Sequence, residues 1–109
     1  MGKFKITKQA NGDYRFVLKA DNGETILTSQ PYAFKSSCEN GINAVRNNAP
    51  DHYNFERKMS ENGKFYFTLK AGNGQVIGTS ELYESEQGLQ KGIDSVKNNA
   101  PDAMISEEH

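Results

Sequence analysis

Residues 11–29 read NGDYRFVLKADNGETILTS, and residues 62–80 read NGKFYFTLKAGNGQVIGTS. The second stretch repeats the first at a distance of 51 residues, and residues 1–51 align with 52–102 without a gap. Phe4/Phe55, Phe16/Phe67, Leu18/Leu69, Ile26/Ile77, Tyr32/Tyr83, Gly41/Gly92, Ile42/Ile93 and Val45/Val96 are identical pairs, and both copies close on NNAPD. The chain is a tandem duplication, so the quoted stretch is either a site used twice or a scaffold built twice. The residues favour the scaffold.

Asn-Gly pairs interrupt alternating apolar segments, the pattern of β-hairpins. A two-residue loop at Asn11-Gly12 would set Thr7 opposite Phe16 and split the aromatic face. A three-residue loop ending in Gly12, a type I turn with glycine in a G1 bulge, instead sets Ile6 opposite Phe16 and Phe4 opposite Leu18. The same loop at Asp21-Asn22-Gly23 brings Ile26 opposite Leu18 and Thr28 opposite Phe16. Phe55, Phe65, Phe67, Leu69 and Ile77 repeat the pattern, so each unit starts as a three-stranded meander.

A helix follows in each unit. Cys38, Ile42, Val45 and Ala49 form one stripe of period 3.6, and Leu89, Ile93, Val96 and Ala100 repeat it. Ser36 with Glu39 reads as a capping box for the first helix and Ser85 as the cap of the second. Asn48-Ala49-Pro50 and Asn99-Ala100-Pro101 read as stops. After each stop the chain turns extended again, giving strand, strand, strand, helix, strand in each unit.

At 109 residues the chain fits one domain, 1–109, made of repeats 1–51 and 52–102 with 103–109 as a C-terminal strand or tail. Each half alone is too short to bury a stable core, so the two are expected to share one. No apolar run approaches the ~20 residues a membrane span requires, and the start lacks an apolar leader, so no membrane partner and no export are expected. The single cysteine allows no internal disulfide and points to a reducing, cytoplasmic setting. A net charge of −1 argues against a uniformly basic nucleic-acid binder but leaves room for a local basic patch.

Sites of chemistry are scarce. AGNGQVIG comes near a dinucleotide fingerprint, but its last spacing is wrong and it leads into a strand where the fingerprint must open a helix. Cys38 lies on the apolar helix stripe, and its repeat counterpart is Leu89, a core residue. His52 and His109, the two histidines, have no matching ligands in the other repeat. Neither a catalytic triad, a metal site nor a cofactor site emerges, and the chain reads as non-enzymatic.

By strand parity, the face turned away from the helices carries Lys5, Thr7, Arg15, Val17, Lys19, Thr25 and Leu27 from the first unit. The second unit contributes Glu56, Lys58, Tyr66, Thr68, Lys70 and Val76. The candidate binding residues are Lys5, Arg15, Lys19, Lys58, Tyr66 and Lys70, a set of cations around an aromatic ring suited to a protein or anionic partner.

The segments RFVLKADNGETILTSQPY and KFYFTLKAGNGQVIGTSELY, with the two GI..V helix endings, resemble the YegP-like family of small bacterial proteins over essentially the full length. The resemblance implies an α+β fold: two β-β-β-α-β repeats in a single antiparallel sheet, both helices on one face and the C-terminal strands exchanged between repeats. It implies a monomer acting as an internal pseudo-dimer, and no established activity, cofactor or site residues. A non-catalytic binding module using the open sheet face is therefore expected. Polyanion or single-stranded nucleic-acid binding is the alternative, and a small enzyme with an unrecognised site the further one. Because the repeats complement each other, a chain ending at Asp51 is expected to be unfolded or dimeric, and sedimentation showing a well-folded monomer would contradict the shared core.

Overall fold

The computed structural model describes residues 2–108, for Glu108 the backbone alone. His109, weighed above, lies outside the described residues. In chain order the elements are β1 (Lys3–Lys8), β2 (Tyr14–Lys19), β3 (Thr25–Ser29), α1 (Lys35–Asn48), β4 (Phe55–Met59), β5 (Phe65–Lys70), β6 (Val76–Thr79), α2 (Glu86–Asn99) and β7 (Met104–Glu108). Short 3₁₀ turns at His52–Asn54 and Ala100–Asp102 connect each helix to the next strand.

The first hairpin follows from its turn. Gly12 stands at φ 92°, and its N–H donates to the Gln9 carbonyl while Gln9 N–H reaches Asp13. This is the expected three-residue loop, and it sets Ile6 opposite Phe16 and Phe4 opposite Leu18. The positive φ requires glycine, and Asn11 Oδ1 secures the loop by accepting Asp13 N–H at 3.0 Å. The other three loops repeat the geometry with Gly23, Gly63 and Gly74.

The third strand departs from expectation. Its loop is the one foreseen, but a bulge between Leu18 and Lys19 places Leu27, not Ile26, opposite Leu18 and Thr28 opposite Val17. One extra residue lets two consecutive apolar side chains turn inward, and both Ile26 and Leu27 are buried. Leu27 therefore belongs to the core, not the outward face. The shift brings Ser29 beside Phe16, where its hydroxyl accepts Phe16 N–H at 2.9 Å and donates to the Gln30 carbonyl at 2.8 Å. Ser80 does the same for Phe67 and Glu81.

Three residues on from Ser29, Tyr32 bridges back to Tyr14 through paired backbone hydrogen bonds and lays its ring parallel to Phe16. Its hydroxyl rests on Gly41 in α1, where any side chain would collide with it. Tyr83 and Gly92 repeat the contact. The recurrent Thr-Ser..Tyr and the helix glycine are thus parts of one joint between sheet and helix.

Helix phase is set by the buried stripe. The cap of α1 is Phe34, without a side-chain hydrogen bond, so the expected Ser36/Glu39 capping box does not form. The core fixes Cys38, Ile42 and Val45 inward, and that frame starts the helix before Ser36. In α2 the equivalent position is Ser85, and its hydroxyl accepts Gly88 N–H at 3.0 Å as expected.

Among the described residues seven strands form one sheet in the order β4-β5-β6-β3-β2-β1-β7. Helix α1 packs on β2 and reaches β5 and β6, while α2 packs on β5 and reaches β3, so both cover the same face and one core spans the repeats. The α+β class with two helices on one sheet is the expected one. The sheet is mixed, however: β7 runs parallel to β1, and the remaining neighbours are antiparallel. A β-β-β-α-β unit used twice would give eight strands; seven suffice because β4 both ends the first unit and begins the second.

The repeats meet where β3 pairs with β6, with Thr28 opposite its own counterpart Thr79 and Ser29 opposite Gly78. A Cβ on Gly78 would lie 2.9 Å from Leu27 Cγ and 3.0 Å from the Thr28 carbonyl oxygen. Leu27 thus fills space its counterpart must leave open. Gly78→Ala is expected to destabilise the fold by roughly 1–3 kcal/mol through overpacking. In a Leu27→Ala background the same change should cost at least about 1 kcal/mol less, a coupling that urea unfolding of the four variants measures.

Candidate binding face of the sheet

Parity along each strand turns Lys3, Lys5 and Thr7 of β1 and Arg15, Val17 and Lys19 of β2 away from the helices, since Phe4, Ile6, Phe16 and Leu18 are buried. Lys5 lies opposite Val17, Thr7 opposite Arg15, and Lys3 directly opposite Lys19. On the other half, Lys58 lies opposite Tyr66 and Glu56 opposite Thr68. All six residues named from sequence therefore share the open face, but in two clusters. Strands β3 and β6 separate β2 from β5, a gap of about 14 Å at the usual strand spacing of ~4.8 Å. Thr28 and Thr79 occupy the middle.

The clusters differ electrostatically. In the β4–β5 cluster Glu56 accepts from both lysines, at 2.8 Å from Lys70 Nζ and 3.0 Å from Lys58 Nζ. Hydrogen bonding from Lys70, and then from Lys58, holds the Glu56 carboxyl below its ordinary range, and the bond to Glu56 raises Lys58. Much of the charge there is internally compensated. Beneath it Thr68 is 5% exposed, with a hydroxyl that finds no hydrogen-bond partner.

In the β1–β2 cluster Lys3 and Lys19 are like charges facing each other across an antiparallel pair, which disfavours the fold unless an anion or water screens them. A shallow cleft of ≈ 200 Å³ opens beside them, lined by Gly2, Lys3, Lys19, Ala20, Asp21 and Gly23. Lys3 escaped the sequence reading, although it shares the parity of Lys5 two residues on and so carried the necessary signal. Leu27, assigned to this face from sequence, is withdrawn into the core by the bulge.

The other candidates lie elsewhere. Cys38 is buried under α1, and desolvation pushes its thiol up to about 11, leaving it protonated at neutral pH and a poor nucleophile. His52 sits in a 3₁₀ turn with its ring edge-on to Tyr53. Gly74 closes a hairpin loop that leads into β6, so AGNGQVIG does not open a helix. Among the described residues no three His, Cys, Asp or Glu side chains gather as metal ligands, and no helix is long and apolar enough to cross a membrane.

Comparison with known proteins supports this arrangement of repeats. The family described as domain of unknown function DUF1508 matches twice, over residues 9–56 and 60–107. The chain is 54% identical over 106 residues to the UPF0339 protein in ptx operon 5'region of Stutzerimonas stutzeri, covering 97% of this chain and 96% of that one. It is 48% identical to the UPF0339 protein YegP of Escherichia coli K12 with the same coverage. The solution NMR structure of yegP from E. coli superposes with a TM-score of 0.93, covering 98% of this chain and 92% of that one.

The Glu56 pair gives a signed pH dependence. Its folded pKa lies below the unfolded value near 4.5, so its contribution to stability is present above that value and fades as pH falls through the folded one. Carboxyl-detected NMR titration should find Glu56 below the ordinary range, and Lys70→Ala should move it up. An unmoved titration in that variant would contradict the pairing.

Proposed function

The chain belongs to the DUF1508 family, and on that premise we propose that it is a non-catalytic binding module whose open sheet face receives an anionic partner. The observation that carries the reading is the direct opposition of Lys3 and Lys19, flanked by Lys5 and Arg15 on the same two strands. Opposed cations are unfavourable in the free protein, so a ligand anion gains twice: it meets two charges and relieves their repulsion. The buried Cys38, whose thiol desolvation keeps protonated, supports the non-catalytic part. The β4–β5 cluster contributes less, because Glu56 competes for Lys58 and Lys70, while Tyr66 offers a ring for stacking. A core shared by both repeats supports a monomer that acts as its own pseudo-dimer.

Binding of a single-stranded oligothymidylate and of heparin, measured by fluorescence anisotropy across a salt series, tests the proposal. Engagement of Lys3, Lys19 and Arg15 predicts that log K falls against log salt with a slope of about −2 for the single strand. The double variant Lys3→Glu/Lys19→Glu should weaken binding at least tenfold while leaving the melting temperature no lower than before. Salt-insensitive binding, or binding indifferent to both substitutions, would remove the anion reading. A partner depending instead on Val17, Tyr66 and Val76 would be a protein docked on apolar contacts.

A further inference from the structure

Strand β7 fills a slot on the outer side of β1, and the repeat produces that slot a second time beside β4. At the first slot β7 pairs in parallel with Ile105 opposite Phe4, Ser106 opposite Lys5 and Glu107 opposite Ile6. Two residues of α1 fasten it. Arg46, poised over the Phe4 ring, donates to the Ala103 carbonyl at 2.7 Å, and Lys35 forms an ion pair with Glu107.

Adding 51 to each number describes the second slot. Phe55 stands for Phe4, Arg57 for Ile6, Lys97 for Arg46, and Glu86, at the start of α2, for Lys35, so the lysine that pairs with Glu107 in the first slot is replaced by an acid. The counterpart of β7 itself is residues 53–57, which already form the end of the 3₁₀ turn and the beginning of β4. One segment cannot be both the strand and its neighbour, so none of the described residues pairs with the outer side of β4. Among the described residues β4 is accordingly an edge strand. Where Glu107 reaches toward α1 in the first slot, the second holds a cleft of ≈ 230 Å³ lined by Arg57, Lys58, Met59, Phe65, Glu86 and Leu89.

We propose that the outer edge of β4 is a docking site for an extended peptide segment of another protein, added as an eighth strand parallel to β4, with an aliphatic residue opposite Phe55 and an acidic residue opposite Arg57. Orientation and register are those of β7 in the first slot. Backbone donors are available: Ser60 and Lys64 close the hairpin as a hydrogen-bonded pair, and alternation from there aims the N–H groups of Arg57 and Met59 outward. Charge selects the side chains through Arg57, which takes over from Lys35 the pairing with an acid and directs that acid away from Glu86 at the start of α2. Arg57 and Lys58 replace Ile6 and Thr7, and Lys97 keeps a cation where Arg46 holds a carbonyl in the first slot. Met59, 62% exposed, extends the apolar floor. Strand addition to a sheet edge takes its affinity from such main-chain pairing and its specificity from alternate side chains.

The probe is a synthetic peptide of residues 102–108, DAMISEE, added to the full chain and followed by ¹⁵N NMR. The expected result is saturable shifts in Arg57, Lys58, Met59, Phe65 and Leu89, with slowed amide exchange at Arg57 and Met59. Arg57→Glu should weaken binding at least tenfold, Lys97→Ala more mildly, and Lys3→Glu/Lys19→Glu on the open face should leave it unchanged. The last variant separates this proposal from the function assigned to the sheet face, since either can fail alone. No shifts at millimolar peptide, equal binding of the reversed sequence EESIMAD, or shifts confined to β1 and α1 would each overturn it. So would self-association of the free protein through β4, detected by sedimentation, because the edge would then belong to a second copy.

Discussion

The pairing of β3 with β6 is the constraint on which the rest of the molecule depends. It joins the repeats about a local twofold through Thr28 and Thr79, and it is the pairing that turns two three-stranded meanders into one sheet. Neither helix covers its own meander alone; α1 reaches β5 and β6, and α2 reaches β3. The duplication is not perfectly symmetric at this seam, because two leucines meeting there would crowd each other. Leu27 facing Gly78 solves this with one large residue and none. A fused chain can make that division, whereas two identical copies could not.

The recurring motif residues are spent on the joint between sheet and helix. Ser29 and Ser80 supply hydroxyls to backbone groups that the ladder leaves unpaired, and Tyr32 and Tyr83 stack on core phenylalanines and press on helix glycines. A buried backbone N–H without a partner is costly, so the hydroxyls of Ser29 and Ser80 offset the cost of burying Phe16 N–H and Phe67 N–H. The strength of the repeat therefore reports packing, and the repeats part company at Lys5 against Glu56, Arg15 against Tyr66 and Ile6 against Arg57.

That distinction explains what could be read from the chain. The hairpin loops were legible because Gly12, Gly23, Gly63 and Gly74 must take a positive φ, and one loop length builds an apolar face. The bulge beyond Leu18 was not, because no residue type marks it; it follows from the need to bury both Ile26 and Leu27. The capping box at Ser36 was a sound local preference overruled by the core stripe, which fixes helix phase more strongly than one hydrogen bond. Parity found Lys5, Arg15, Lys19, Lys58, Tyr66 and Lys70 on one face, yet it is blind to distance along the sheet and to the pairing of Lys58 and Lys70 with Glu56. The parallel course of β7 was hidden for a different reason: its partner, β1, lies at the far end of the sequence.

Fusing two repeats has a geometric consequence for the edges. When each repeat ends in a strand of its own, every first strand can receive a neighbour. When the linker is so short that the terminal strand of one repeat is also the first strand of the next, one neighbour is lost. Among the described residues β1 keeps its neighbour and β4 does not. Sheet edges left open are hazards for aggregation, and charged residues are the usual guard. Arg57 and Lys58 meet that need, but a guard requires only charge. Phe55, Lys97 and the cleft beside Leu89 stand at the positions that hold a strand at the other end, so the edge keeps the means of receiving one together with charges that restrict which strand it accepts.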